Sequence, residues 1–553
     1  MAGGLLNIIS NGSNNLFLTG NPSKTFFKVT YVKYSNFGLQ KFRIDYNGLR
    51  ELRPSEPSVF NFKIPRYADL LMDTYISLTL PDIWSPVYPP CAETGYKWVP
   101  YEFKWIRNIG THMIKEITIT CGGTLLQRYT GEYIAAMVDR DFTKEKKELF
   151  NQMSGNVIEL NEPGMAFSRL SSYPSAAYTT STVGAEPSIR SRQIYIPINS
   201  WFTLNPNCAF PLVALRNNEL NINVTMRPIQ ELFTVRDPFD ITYNYPYVQP
   251  DFTLDRFQMY RYLQTPPSGY IRTSEYPSTL STWNADIHLI STYCFLSKDE
   301  TEHFAKNDQV YLVKDVFEHK FENVTGSKKI KINTNGMISN WMWFLQRNDV
   351  NLRNEWSNYT NWPYDQLPNN IKIASHVPIP GMTDLSYGMA VHPNVDTISH
   401  TGISITGDFH PENRKEILET MGILFDGQYR ENLLARGIYD FLEKYTKTSG
   451  NATDGLYCYN FCLSTDPYDY QPSGAVNMNK FKTIELEINT VAPAIDFDNS
   501  SYDILCDSTT GEPLGTRKAS WRLYQYNFNL TLYEERYNVL SFVGGNCGML
   551  YSR

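Results

Sequence analysis

Short runs in which apolar and polar residues alternate, each stopped by a proline, glycine or asparagine corner, recur along this whole chain. Asp73–Leu80 (DTYISLTL) alternates and stops at Pro81-Asp82. Ile114–Thr120 alternates, turns at Cys121-Gly-Gly123 and returns through Thr124–Tyr129, which reads as a hairpin. Glu219–Met226 (ELNINVTM) and Phe481–Val491 repeat the pattern. A period of two places one face of each run against a core and the other toward solvent, the signature of half-buried strands. Further strands are expected at Thr25–Tyr34, behind the Gly20-Asn21-Pro22 turn, and at Val59–Pro65, Gln193–Phe202, Lys328–Ile332, Ile338–Leu345, Thr401–Thr406, Gly455–Leu463, Trp521–Leu532 and Val539–Val543. Besides a short central helix, helical patterning occurs at Glu132–Glu148, Glu412–Met421 and Arg430–Tyr445. Pro81–Pro100, Gly155–Ser191, Tyr243–Pro277 and Arg347–Asn394 read as long loops. Many short strands, long corners and few helices imply an all-β protein built of antiparallel sandwiches. Periodicity alone leaves jelly-roll and immunoglobulin-like topologies open.

The stretch Ala285–Val313 divides the pattern. It reads as strand (Ile287–Phe295), short helix and strand (from Val310). Ser297-Lys-Asp-Glu300 matches a capping box at the helix start, and Asn307-Asp308 is turn chemistry that ends the helix near Lys306. Long β-rich sequence on both sides makes this a hinge between two sandwiches; the alternative is one element within a single large domain. The expected division is an N-terminal arm over residues 1–24, a first sandwich over 25–297, a linker helix over 298–307 and a second sandwich over 308–553. An internal echo agrees. Pro211–Ala214 leads through Asn218 into Leu220, Ile222 and Val224, while Pro472–Ala475 leads through Asn477 into Ile484, Leu486 and Ile488.

Composition excludes several classes. With 42% hydrophobic and 19% charged residues among 553, the chain can bury two cores and is not disordered. A net charge of −7 without a basic segment argues against direct nucleic-acid binding. No run reaches the ~18–20 apolar residues of a membrane helix, and the first fifteen residues lack the basic start of a signal peptide. The eight cysteines form no disulfide framework, which favours a reducing compartment. The sequons at Asn223, Asn323, Asn358, Asn451 and Asn529 then read as chance occurrences in an Asn-rich chain.

No catalytic, cofactor-binding or metal-binding constellation is expected. There is no phosphate loop, zincin motif or nucleophile elbow. His376, His392, His400 and His410 share a loop-rich segment but match no compact ligand spacing. Cys458 and Cys462 lie on one expected strand, roughly 13 Å apart at about 3.3 Å per residue, too far for a disulfide or a shared zinc. The series from Asp496 through Asp498 and Ser500 to Asp507 lacks the glycine and glutamate of a calcium loop. Asp466 and Asp469 flank Pro467 in a turn, so a surface corner is the simpler reading than a glycosidase pair.

A resemblance spans the chain in order. MAGGL with Leu18–Pro22 and Thr25-Phe-Phe-Lys28, Asp69-Leu70, Gly122-Gly123, Phe210–Leu215, Phe295-Leu296, Glu302, Phe304-Ala305, Tyr311-Leu312, Gln471–Gly474 with Asn477, Tyr537–Leu540 and Gly544–Gly548 all resemble the major capsid proteins of nucleocytoplasmic large DNA viruses, the algal- and giant-virus branch. The chain departs at its insertions, Pro81–Glu102, Gly155–Ser191, Arg347–Asn394 and Glu412–Tyr445, and has Lys298 and Thr301 where the family usually has Asp and Arg. The resemblance implies two consecutive jelly rolls and a structural, non-enzymatic role. It implies a homotrimeric, pseudo-hexagonal capsomer tiling an icosahedral shell. Its partners are then neighbouring capsomers, minor capsid proteins and an internal viral membrane, with assembly in the host cytoplasm. From another class, a glycan-binding or glycan-cleaving sandwich is the alternative.

Overall fold

The structure, a computed structural model, describes residues 3–88, 90, 98–170, 172–176, 184–216, 218–240, 245–267, 276–365, 414–493, 521–523 and 525–551, together with the backbone of five short strands between 385 and 517. Eight strands build a first sandwich: β1 (Gly38–Asp45), β2 (Ser58–Lys63), β3 (Leu70–Leu80), β4 (Ile114–Cys121), β5 (Thr124–Tyr129), β6 (Arg192–Pro197), β7 (Leu220–Met226) and β8 (His288–Phe295). They pair in the orders β1-β8-β3-β6 and β2-β7-β4-β5. Eight more build a second: β9 (Gln309–Phe321), β10 (Ser327–Lys331), β11 (Met337–Arg347), β12 (Leu418–Phe425), β13 (Gln428–Ala435), β14 (Leu456–Asn460), β15 (Ile484–Thr490) and β16 (Phe528–Val543). Their orders, β9-β16-β11-β14 and β10-β15-β12-β13, repeat the first set strand for strand. The last strand of each set returns beside the first, so both units are jelly rolls. The echo read from the sequence is real in three dimensions. Pro211 pairs with Leu70 at the start of β3, and Val476 pairs with Ile338 at the start of β11, so the two corners occupy equivalent places.

Alternation becomes burial. Ser58, Phe60 and Phe62 of β2 point inward, as do Leu220, Ile222, Val224 and Met226 of β7 and Ile484, Leu486 and Ile488 of β15. β11 and the middle of β16 break the rule by being buried on both faces. One face of each packs on its own sandwich and the other receives the first jelly roll.

Registers also sort the connections. Gly38 lies opposite Phe295, and Gln309 opposite Phe542, so both rolls begin and end at one end of the molecule, the base. Helix α3 (Lys298–Lys306) crosses between the rolls there, and the β4–β5 and β12–β13 turns close there. The long connections 81–113, 155–191, 227–287, 348–417 and 491–527 all leave from or return to the far end.

Several expectations are corrected. Thr25–Tyr34 forms no strand: it is exposed, and no edge of its own chain pairs with it. Glu412–Met421 and Arg430–Tyr445 are not helices over those spans. Leu418–Phe425 and Gln428–Ala435 form the hairpin β12–β13, and helical turns begin only at Ile438. Asp426 and Gly427 carry φ values of 50° and 78°, the two left-handed residues that a tight hairpin demands. Trp521–Leu532 and Val539–Val543 do not form two strands; Phe528–Val543 is one strand of 16 residues. Gln193–Phe202 ends as a strand at Pro197 and turns helical at Trp201. In Gly155–Ser191, the described part is packed rather than loose, with Val157, Leu160 and Ala166 buried. The helix after Ser297 stands as expected, but the Ser297 side chain makes no cap hydrogen bond. Thr401–Thr406 lies outside the described residues.

Helices α1 (Gly131–Asp141) and α2 (Lys144–Ser154) follow β5. Thr130 caps α1 by accepting from the Tyr133 amide. A Cβ on Gly131 would lie 1.9 Å from the Thr111 carbonyl oxygen and 2.6 Å from that of Ile114. Both are backbone atoms that cannot swing aside. Gly131→Ala is therefore expected to cost about 1–3 kcal/mol, read as a lowered midpoint in urea unfolding.

Candidate functional site: the seam and the exposed faces

The chain's most elaborate polar chemistry lies where the first roll meets the second. Helix α1 descends from β5 along the outer face of β11 and β16. At its foot the Arg140 guanidinium, 1% exposed, donates to both oxygens of Asp141 at 2.9 and 2.6 Å, to Glu535 Oε1 at 2.8 Å and to Asn340 Oδ1 at 2.8 Å. Asn340 also donates to Glu535 Oε2 (2.9 Å), the Tyr133 hydroxyl donates to Oε1 (3.0 Å), and Thr465 donates to Asp141 (2.6 Å). Two carboxylates thus share one guanidinium. Burial works against the charge on both, but Arg140, then Lys314 and the Asn340 amide, carry Glu535 down to about 2. Asp141 goes the other way, pushed up by burial. Beside it Glu534, fully buried, accepts from Trp341 Nε1 (3.0 Å) and Thr334 and pairs with Arg536, whose guanidinium lies 3.6 Å from the Phe317 ring centre.

Apolar contacts flank the cluster along the seam. On its far-end side the Tyr133 and Tyr533 rings meet edge to face with centres 5.5 Å apart, and toward the base those of Phe210 and Phe542 lie 5.2 Å apart. Gln127 of β5 donates to the Lys314 carbonyl of β9. One hydrophobic cluster therefore runs from Ile222 and Trp105 in the first roll to Tyr533 and Phe542 in the second. Toward the far end, residues 350–365 of the second roll clamp the first. Asn354 Nδ2 donates to the Gln230 and Phe233 carbonyls, Trp356 Nε1 to Glu231, and Ser357 meets His112 Nε2 at 2.8 Å. Asp349 sits between Arg347 and Arg353, which overcome its burial and hold its carboxyl far below the usual range. This opening part of the expected Arg347–Asn394 loop is thus a buried clamp.

The residues that the sequence offers for chemistry do not converge. Cys458 and Cys462 are both buried core residues, as expected. Asp466 Oδ1 accepts from the Tyr468 amide and Asp469 Oδ1 from that of Gln471, so each carboxylate shapes its own turn. His376, His392, His410 and the Asp496–Asp507 series lie outside the described residues, and of His400 only the backbone is described. Among the sequons, Asn358 is wholly buried, donating to the Trp362 carbonyl, and presents no glycan site. The seam residues escape a reading of the sequence because a Glu-Glu-Arg run in a strand looks like a solvated break.

What remains exposed is apolar and organised. β13 and the helix after it present Tyr429, Leu433, Phe441, Leu442 and Tyr445; β1 and the end of β8 present Phe37, Leu39 and Phe295. At the base of the second roll Leu463, Tyr470, Val543 and Leu550 are uncovered.

Two jelly rolls of one strand order, joined by a base helix, define the double jelly-roll class of viral capsid subunit. Residues 25–271 match the family described as major capsid protein N-terminus, and residues 300–548 match large eukaryotic DNA virus major capsid protein. The chain belongs to the major capsid proteins of large eukaryotic DNA viruses. It is 24% identical to the major capsid protein of Phaeocystis pouchetii virus and 21% identical to that of Paramecium bursaria Chlorella virus 1, each comparison covering 100% of both chains. The solved Chlorella virus subunit, fitted into a reconstruction of the virophage Sputnik, superposes with a TM-score of 0.58 over 96% of this chain and 100% of that one, at 17% identity. The Faustovirus major capsid protein gives 0.57 over 93% and 92%, at 12% identity.

Glu535→Gln is expected to cost about 3 kcal/mol at pH 7, the worth of the downward shift at about 1.36 kcal/mol per unit. A depressed carboxylate contributes stability above its unfolded value and loses it as pH falls through the folded one. The difference between wild type and Glu535→Gln should therefore shrink from about pH 4.5 and vanish near pH 2. Urea unfolding at several pH values reads both ends of that window.

Proposed function

We propose that three copies of this chain close into a pseudo-hexagonal capsomer, and that such capsomers tile the icosahedral shell of a large DNA virus as a structural, non-enzymatic coat. The observation that carries this is a seam half used. Within one chain, β5 and the helix after it, α1, pack on the first, last and third strands of the next roll, β9, β16 and β11. The equivalent donor face of the second roll, β13 and the helix after it, is exposed with Tyr429, Leu433, Phe441, Leu442 and Tyr445. The equivalent receiving elements of the first roll, β1 and the end of β8, leave Leu39 and Phe295 uncovered. One chain thus ends in an unused copy of each half of a contact that it already makes once. A head-to-tail contact of this kind closes into a ring when the rotation permits, and six rolls in three chains give the hexagonal outline that the family resemblance implies.

In this reading the expected division, 25–297, 298–307 and 308–553, is kept except that the arm runs on to residue 37, ahead of β1. The far end, which carries the long connections, faces outward, since surface loops tolerate insertion. The base faces inward, toward minor capsid proteins and the viral membrane, and assembly takes place in the host cytoplasm. The glycan-binding alternative draws support from no feature of the described residues.

The test is the mass of the purified particle by light scattering after gel filtration. A mass near three times 63.8 kDa, with a hexagonal outline in negative stain, is expected; a stable monomer at micromolar concentration contradicts the ring. Leu433→Asp with Phe441→Asp should raise the dissociation concentration at least tenfold and leave the circular dichroism of the chain unchanged, because both side chains are exposed in the single copy.

A further inference from the structure

The first 37 residues are unlike the rest of the chain. They contain Lys24, Lys28 and Lys33 and not one Asp or Glu, whereas the whole chain carries a net −7. Between Leu5 and Tyr34 thirteen large apolar side chains stand in water; Phe27 is 98% exposed and Val32 91%. Leaving that much apolar surface wet is unfavourable at roughly 25 cal/mol per Å², so the arm is built to be covered by something its own chain does not supply.

The internal repeat says where. The segment ahead of the second roll's first strand is α3. It lies across the base of the first roll, where its Phe304, with Leu296 before it, packs on Leu70, Ala209 and Cys294. Those residues mark the start of the third strand, the proline corner and the end of the eighth strand of that roll. The same three places in the second roll are the start of β11 at Met337, the corner 461–476 and the end of β16 at Val543. There Met337, Leu463, Tyr470 and Val543 are exposed, with Leu463 at 77%. The arm, for its part, stands ahead of β1 as α3 stands ahead of β9. In charge, the exposed Asp469 on the corner suits Lys28 and Lys33.

We infer that residues 24–37 of one copy cross to a second copy of this chain and cover the base of its second roll, as α3 covers the base of the first roll within each chain. This rests on the ring proposed above and adds to it: every base in the ring is then roofed by the segment that enters the following roll. The exchanged arm ties each chain to its neighbour by a second contact, separate from the β13 face.

The test places a photoreactive benzophenone amino acid at Phe27 in the full-length chain, a position too exposed to disturb folding. Irradiation of the gel-filtered trimer is expected to give interchain products on a denaturing gel, with the label on peptides from 461–480 or 541–551. A trimer that yields no interchain product, or products mapping elsewhere, overturns the arm exchange and leaves the ring standing; a monomer overturns both. Capture of the labelled chain on anionic phosphatidylglycerol vesicles, without interchain product, also overturns it and assigns the arm to lipid. In parallel, the chain lacking residues 1–37 should dissociate at a concentration at least tenfold higher than the full chain, and equal dissociation would contradict the exchange.

Discussion

A charged cluster that water never reaches holds the two halves of this chain in one orientation. Arg140 belongs to the first roll, and Glu535 and Asn340 to the second. Taking these groups out of water is expensive, and their mutual attraction repays the cost only when every lone pair and proton finds a partner. Here the carboxylates are well supplied: donors from Arg140, Tyr133, Asn340 and Thr465 reach the two of them from three sides. An apolar seam of the same area would bind as well and slide more easily. The cluster tolerates one arrangement, because a displacement of one residue along β16 would strand Arg140 away from Glu535. For a subunit whose neighbours must meet at fixed angles, a seam that cannot slip is worth more than a seam that is merely sticky.

The same logic explains how the sheets are finished. A jelly roll leaves two strand edges on each sheet, and open edges invite uncontrolled pairing. Within the chain, β5 is covered by running against β9, and α2 packs along β6. Of the other edges, β1 and β13 lie on the faces proposed to meet another copy, whereas β10 is an edge strand blunted by Lys328, Lys329 and Lys331.

Most of the sandwich framework is legible in the sequence because burial on one face writes a period of two into it. Ser58, Phe60 and Phe62, or Leu220 through Met226, could hardly be anything else. The failures share one cause. Where a segment is covered on both faces or on neither, the period disappears. β16 is buried on both faces with Glu534, Glu535 and Arg536 in its middle, and its pattern reads as two strands instead of one. β13 is largely exposed along its length, with Arg430, Glu431 and Asn432 in succession, and its pattern reads as helical, although Asp426-Gly427 announces the hairpin. Thr25–Tyr34 has strand composition and no partner within the chain. The seam is invisible for a deeper reason: Arg140 and Glu535 lie 395 positions apart and become a pair only through the fold.

The placement of the insertions follows from what each end must do. At the base, α3 packs beside the first roll's proline corner and the C-terminal strand Asn546–Met549 runs beside β5. The Arg216 amide donates to Gly545, whose missing side chain leaves room for the Arg216 stem at 2.8 Å, and Asn218 donates to Asn546. At the far end the described connections meet the clamp of residues 350–365 and one another, and surface loops tolerate insertion. The long connections thus gather at one end of the double sandwich.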